Sequence, residues 1–116
     1  MLFRSPLSML LLARDATVKI CHTKTKDVKE ECRSADILIA AAGRAGFVDR
    51  DFLSPGQVIV DVGINVGEDG KLCGDVKFDD AEAVAGAVTP VPGGVGPVTT
   101  TVLAKHVVKA AMNSWR

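Results

Sequence analysis

Apolar residues in this chain fall either into short continuous runs or into spaced stripes. Residues 36–41 (Asp-Ile-Leu-Ile-Ala-Ala) and 57–62 (Gln-Val-Ile-Val-Asp-Val) are continuous runs, closed by Ala42-Gly43 and by Gly63. Such runs are what strands buried on both faces of a sheet require. Residues 16–21 (Ala-Thr-Val-Lys-Ile-Cys) are rich in β-branched side chains and predict a further strand, and Ala87-Val88-Thr89 predicts a short last one. The stripes predict helices. Over residues 5–13, Ser5 suits an N-cap, Pro6 the first helical position, and Leu7, Leu10 and Leu11 share one face. Residues 26–33 are polar and compatible with a helix, and residues 79–85 predict a short one. Residues 98–113 carry Val102, Leu103, His106, Val107 and Ala110 on one stripe.

Between these elements lie turns. Residues 49–53 suit a short helical turn, Ser54-Pro55-Gly56 and Glu68-Asp69-Gly70 are turn signals, and residues 71–76 suit a small hairpin arm. Strands and helices therefore alternate. That order implies an α/β fold with an open parallel sheet and helices on both faces, a Rossmann-like arrangement. No repeat, low-complexity tract or linker divides the 116 residues, so residues 1–116 are read as one domain.

Composition narrows the function. The chain has 14 basic and 14 acidic residues, and aromatics are few, with four Phe, one Trp and no Tyr. A polyanion needs many phosphates neutralised and bases need stacking platforms, so nucleic acid is not an expected partner. Three widely spaced cysteines (Cys21, Cys32, Cys73) form no CxxC pair, so neither a metal site nor a disulfide framework is expected, and a reducing, cytoplasmic setting is. The apolar N-terminal run is broken by Ser8 and is read as a helix rather than a leader. No stretch reaches the ~18 apolar residues of a membrane span.

In an open parallel sheet, ligands bind beyond the carboxyl ends of the strands. After the first predicted strand stand His22, Thr23 and Lys24, where an NAD-selective site would place a carboxylate. A hydroxyl and an ammonium there suit a 2′-phosphate and favour NADP. An exposed polar turn accounts for the same residues equally well. Ala42-Gly43 follow the second predicted strand, and Gly63-Ile64-Asn65 follow Val62 at the end of the third, where small residues let a nucleotide approach the backbone. Pro90 to Pro97 mixes three prolines with three glycines and runs into a helix N-terminus, a combination a simple loop does not need. Asp49, Asp51, Glu68, Asp69, Asp79 and Asp80 read as solvated turns and caps, Asp75 as a structural turn residue, and His106 as a packed one.

Seven segments in this order, Arg4-Ser5, Ala16-Thr17-Val18, Cys21-His22-Thr23-Lys24-Thr25, Ala35-Asp36-Ile37, Asp61-Val62-Gly63-Ile64-Asn65, Gly74-Asp75-Val76 and Thr89-Pro90-Val91-Pro92-Gly93-Gly94-Val95-Gly96-Pro97, resemble the bifunctional methylenetetrahydrofolate dehydrogenase/methenyltetrahydrofolate cyclohydrolase family. The resemblance implies an NADP-binding domain in one-carbon folate metabolism, from an enzyme that oxidises methylenetetrahydrofolate and hydrolyses the methenyl product. It implies that Arg4, Ser5, Thr23 and Ile64 line the cofactor site, with Arg4 and Thr23 at the 2′-phosphate. It implies that Pro92, Gly93, Gly94, Val95, Gly96, Pro97, Val98, Thr99 and Thr100 border folate and nicotinamide, with Thr99 near the latter. Tetrahydrofolate derivatives and a second copy of the chain are the implied partners, in the cytoplasm or, in a eukaryote, the mitochondrion. The chain departs from the family in three ways. It lacks the N-terminal domain with the Tyr-and-Lys catalytic motif, and it lacks the first strand of the nucleotide-binding domain. Phe3-Arg4-Ser5-Pro6 also stands where the family has a longer glycine-led loop. An isolated chain of this kind is expected to be inactive. The alternatives are a non-catalytic dimerisation or nucleotide-binding module derived from the family, and an unrelated NADP dehydrogenase of the same fold class.

Overall fold

A computed structural model describes residues 3–115. Its elements run α1 (Arg4–Leu12), α2 (Val28–Arg33), β1 (Ile37–Ala40), a 3-10 turn (Arg50–Phe52), β2 (Val58–Asp61), β3 (Asn65–Val66), β4 (Leu72–Cys73), α3 (Phe78–Val84), β5 (Ala87–Val88) and α4 (Val95–Ser114). The two apolar runs fold as predicted, into parallel neighbours β1 and β2. Ile37 stands opposite Val58 and Ala40 opposite Asp61. β5 joins the other side of β2, also parallel, with Val58 opposite Ala87. All three strands end at one edge, so residues 41–46, 62–64 and 89–94 gather there. β3 and β4 form the antiparallel hairpin arm beyond that edge.

The core lies on one face of this sheet. Leu38, Ala40 and Ile59 point into it and meet Cys32, Val48, Phe52, Leu53, Val76 and Ala81, with Ile59 and Ala81 wholly inaccessible. Full burial of each larger apolar side chain contributes about 1.5–3 kcal/mol. The opposite face is open: Ile37 is 59% and Val58 41% exposed. Burial on both faces, expected from the unbroken apolar runs, is therefore not what these strands show. A run's composition permits two-sided burial, but burial itself needs a second covering layer.

Residues 16–21 are not a strand. A strand exists only against a hydrogen-bonding neighbour. Among the described residues no backbone–backbone bond reaches residues 17–21. The segment is instead tied by side chains, with the Lys19 ammonium donating to Glu31 and to Ser34 Oγ on and just after α2. α1 also differs from expectation. It starts at Arg4 with Phe3 at the cap position, and Ser5 caps nothing. Pro6 is tolerated in the third position because first-turn N–H groups have no partner within the helix.

α4 begins at Val95, three residues earlier than predicted, since Pro97 too fits within a first turn. None of its residues is buried, so the Val102–Ala110 stripe is not packed and His106 is exposed.

Candidate dinucleotide site

The carboxyl edge of the sheet is organised by two buried aspartates. Asp61 ends β2 and is 3% exposed, and Asp75 follows the hairpin arm and is wholly inaccessible. Burying a carboxylate is costly unless its oxygens are hydrogen-bonded. Here both are well supplied. Asp61 Oδ1 accepts the N–H of Gly63 at 2.9 Å and of Asp75 at 3.1 Å, and Oδ2 accepts that of Val76 at 3.0 Å. Asp75 Oδ2 accepts the N–H of Ala42 at 2.7 Å and of Gly43 at 3.0 Å. Its Oδ1 accepts the N–H of Arg44 at 3.0 Å and the Asn65 side-chain amide at 2.8 Å.

The two glycines in these segments follow from that packing. A Cβ on Gly63 would lie 2.3 Å from the Asp75 carboxyl carbon, and one on Gly74 would lie 1.9 Å from Asp61 Oδ2. Asp61-x-Gly63 and Gly74-Asp75 thus interlock, each carboxylate resting where the other segment has no side chain. Asp61 N–H in turn donates to Thr89 Oγ1 at 2.9 Å, which fastens the start of the Pro/Gly loop to the same hub.

The predicted site residues divide between this edge and a more open side. Ala42 and Gly43 sit on the edge with their N–H groups already taken by Asp75. Val62 is half-buried and donates its N–H to Ala40 O at 2.9 Å, while Ile64 is 71% exposed. Across the open side, Arg4 Nη1 donates to Cys21 O at 3.1 Å and so joins the start of α1 to the end of the 16–21 segment. Ser5 is exposed on α1. Residues 22–25 form a closed turn: His22 N–H donates to Thr25 Oγ1 at 2.9 Å, Thr25 N–H to His22 O at 2.9 Å and Lys24 N–H to His22 Nδ1 at 3.2 Å. The Thr23 and Lys24 side chains stand exposed at its tip.

In the Pro/Gly loop the Val91–Pro92 peptide is cis and Gly93 has φ +98°. Gly94 is the cap position of α4, and Val95, Gly96, Pro97 and Val98 make its first turn. Thr99 Oγ1 donates to Val95 O at 3.1 Å and Thr100 Oγ1 to Gly96 O at 3.3 Å, so both hydroxyls turn back onto the helix. Among the described hydrogen bonds none joins Thr23, Lys24 or residues 92–100 to the Ala42–Gly43 loop.

A family profile described as "Tetrahydrofolate dehydrogenase/cyclohydrolase, NAD(P)-binding domain" matches residues 2–115. The chain belongs to this family. It is 57% identical over 109 residues to bifunctional protein FolD 2 of Bordetella pertussis, covering 94% of this chain and 38% of that one. It is likewise 57% identical over 107 residues to bifunctional protein FolD of Carboxydothermus hydrogenoformans, covering 90% and 37%. The chain thus spans less than two fifths of these curated relatives. Among solved structures, the FolD bifunctional enzyme of Campylobacter jejuni superposes with a TM-score of 0.89 at 44% identity, over 95% of this chain and 39% of that one. The FolD of Trypanosoma brucei, solved with NADP and an inhibitor, superposes with a TM-score of 0.79 at 40% identity, over 89% and 37%.

For an NAD(P)-binding domain of the tetrahydrofolate dehydrogenase/cyclohydrolase family, the donor set suits the group it would hold. The edge offers the small exposed residues Ala42 and Gly43, whose N–H groups Asp75 holds, and the 22–25 turn offers a hydroxyl and an ammonium with no carboxylate between them. Three acidic residues read as turn or cap elements act as such: Asp49 accepts from Asp51 N–H at 3.0 Å, Asp69 from Lys71 N–H at 3.0 Å and Asp80 from Arg50 N–H at 3.2 Å. Cys32 is no nucleophile at neutral pH, because burial pushes its thiol up to about 11. Asp61, Asn65 and Thr89 went unnoticed as a hub. Beyond the family resemblance of their segments, the one local signal was Asp61 inside an apolar run with a glycine two residues on.

Proposed function

We propose that this chain is the NADP-binding part of a protein that oxidises methylenetetrahydrofolate and hydrolyses the methenyl product. The observation that carries the NADP reading is the exposed Thr23–Lys24 pair at the tip of a closed turn. It stands after the 16–21 segment, where a ribose-binding carboxylate would select NAD. Arg4, Thr23 and Lys24 hold the 2′-phosphate, with Ser5 and His22 beside them. Ala42, Gly43, Val62 and Ile64 border the rest of the nucleotide. Pro92, Gly93, Gly94, Val95, Gly96, Pro97, Val98, Thr99 and Thr100 face the nicotinamide and the folate. NADP supplies the hydride acceptor when bound. This chain's own residues bind and orient it, and the domain carries no Tyr-and-Lys pair to act on the folate.

We read the fold as a Rossmann-like domain. The domain comprises residues 1–116, and its setting is cytoplasmic. Calorimetric titration of the 116-residue chain tests this. Saturable NADP binding, tighter than NAD binding by about tenfold for one charge-assisted phosphate contact, is expected. Turnover of methylenetetrahydrofolate by the chain alone should not rise above a blank. Equal affinity for NAD, or none for either, overturns the reading. A second reading, pairing of two copies, is favoured by the open outer edge of β1 with its exposed Ile37. A monomer in sedimentation at high protein concentration contradicts it.

A further inference from the structure

We infer that Asp75 is a positioning residue for the dinucleotide: it sets the backbone of Ala42, Gly43 and Arg44 at the edge where the cofactor lies. This rests on the dinucleotide-site reading above. Three successive backbone N–H groups converging on one anion is the arrangement that loops use to hold a phosphate. Here the anion is the protein's own. Asp75 Oδ2 takes Ala42 and Gly43 at 2.7 and 3.0 Å, and Oδ1 takes Arg44 at 3.0 Å. Those donors are therefore unavailable to a ligand. What the loop presents to a nucleotide is the Cα and carbonyl of Ala42 and Gly43, groups that meet ribose hydroxyls, an amine or a ring face but not a phosphate.

The place of the loop is set from below. Asp75 is wholly inaccessible and its own N–H is held by Asp61 Oδ1 at 3.1 Å. Its carboxyl lies against Gly63, where no side chain fits. Asp61 connects onward through its N–H to Thr89 Oγ1 at 2.9 Å. The loops after β1, β2 and β5 are thus joined in one network whose centre is closed to solvent. Neutralising that centre should loosen all three without removing any group that meets the cofactor.

The test is Asp75→Asn in the 116-residue chain, with Asn65→Ala as the milder variant. The asparagine keeps the shape of Asp75 but turns an NH2 toward N–H donors. Asn65→Ala deletes one of the four bonds from a different element. Amide exchange is read at residues 42–44 and, as reference, at Ile59 and Val60, and NADP affinity is read by calorimetry. Expected for Asp75→Asn is exchange at 42–44 faster by about tenfold or more, with a comparable loss of NADP affinity and unchanged exchange at Ile59 and Val60. Asn65→Ala should show the same pattern, weaker. If Asp75→Asn does not fold, Asn65→Ala decides alone, and unchanged exchange at 42–44 or unchanged affinity overturns the inference. Faster exchange with undiminished affinity overturns the positioning role and leaves the NADP reading standing. A wild-type chain that binds no NADP overturns both.

Discussion

The two halves of the candidate site are built by opposite means. The carboxyl edge is fixed from inside, by two buried aspartates that accept backbone N–H groups from three separate segments. The Arg4 and His22–Thr25 side is held by a closed turn and by guanidinium bonding that includes Cys21 O. The contrast separates two tasks. In the proposed reading the edge supplies shape, set by groups that are buried. In that reading the open side supplies charge, through groups held in solvent. A substitution on the first side should therefore act through stability and backbone position, and one on the second through ligand selectivity alone.

Gly74→Ala should give the largest effect. Its new Cβ would meet Asp61 Oδ2 at 1.9 Å, and that oxygen is itself held by Val76 N–H. A loss of about 3 kcal/mol in denaturant unfolding, or failure to fold, is expected. A loss within error would mean the interlock yields easily and the contrast is false. Next come Thr23→Ala and Lys24→Ala. Each should weaken NADP binding by about tenfold and leave NAD binding and the unfolding midpoint unchanged. A parallel loss of NAD affinity would assign the turn to shape rather than charge.

The last prediction concerns Cys32 in the core. Burial raises its thiol to about 11 from 9.0, so the folded chain keeps a proton that the unfolded chain loses first. Its contribution is complete below the unfolded value and is lost as pH climbs from there through the folded one. The stability gap between wild type and Cys32→Ala should narrow over that window. A constant gap would contradict the assignment.

Much of this was legible in the chain's own pattern, and the failures share a cause. Residues 36–41 and 57–62 announce strands because their unbroken apolar runs suit a buried face, although only one face is covered. Residues 16–21 have the same local chemistry and form no strand, since pairing depends on a neighbour and not on the segment. The α4 stripe was legible as amphipathic, yet whether a stripe is packed is decided elsewhere in space. At the candidate site, the exposed polar turn that carries Thr23 and Lys24 was legible from its composition. Asp61 and Asp75 could not, because an aspartate beside a glycine looks like any turn until two such segments are brought together.

The central claim is that the two halves serve one ligand. An amide-resolved NMR titration of the chain with NADP tests it most directly. The account predicts that amides of His22–Lys24 and of Ala42, Gly43 and Ile64 shift together with one common Kd, and that NAD shifts the edge amides while leaving the turn almost still. Shifts confined to one half, or different Kd values for the two, would contradict it.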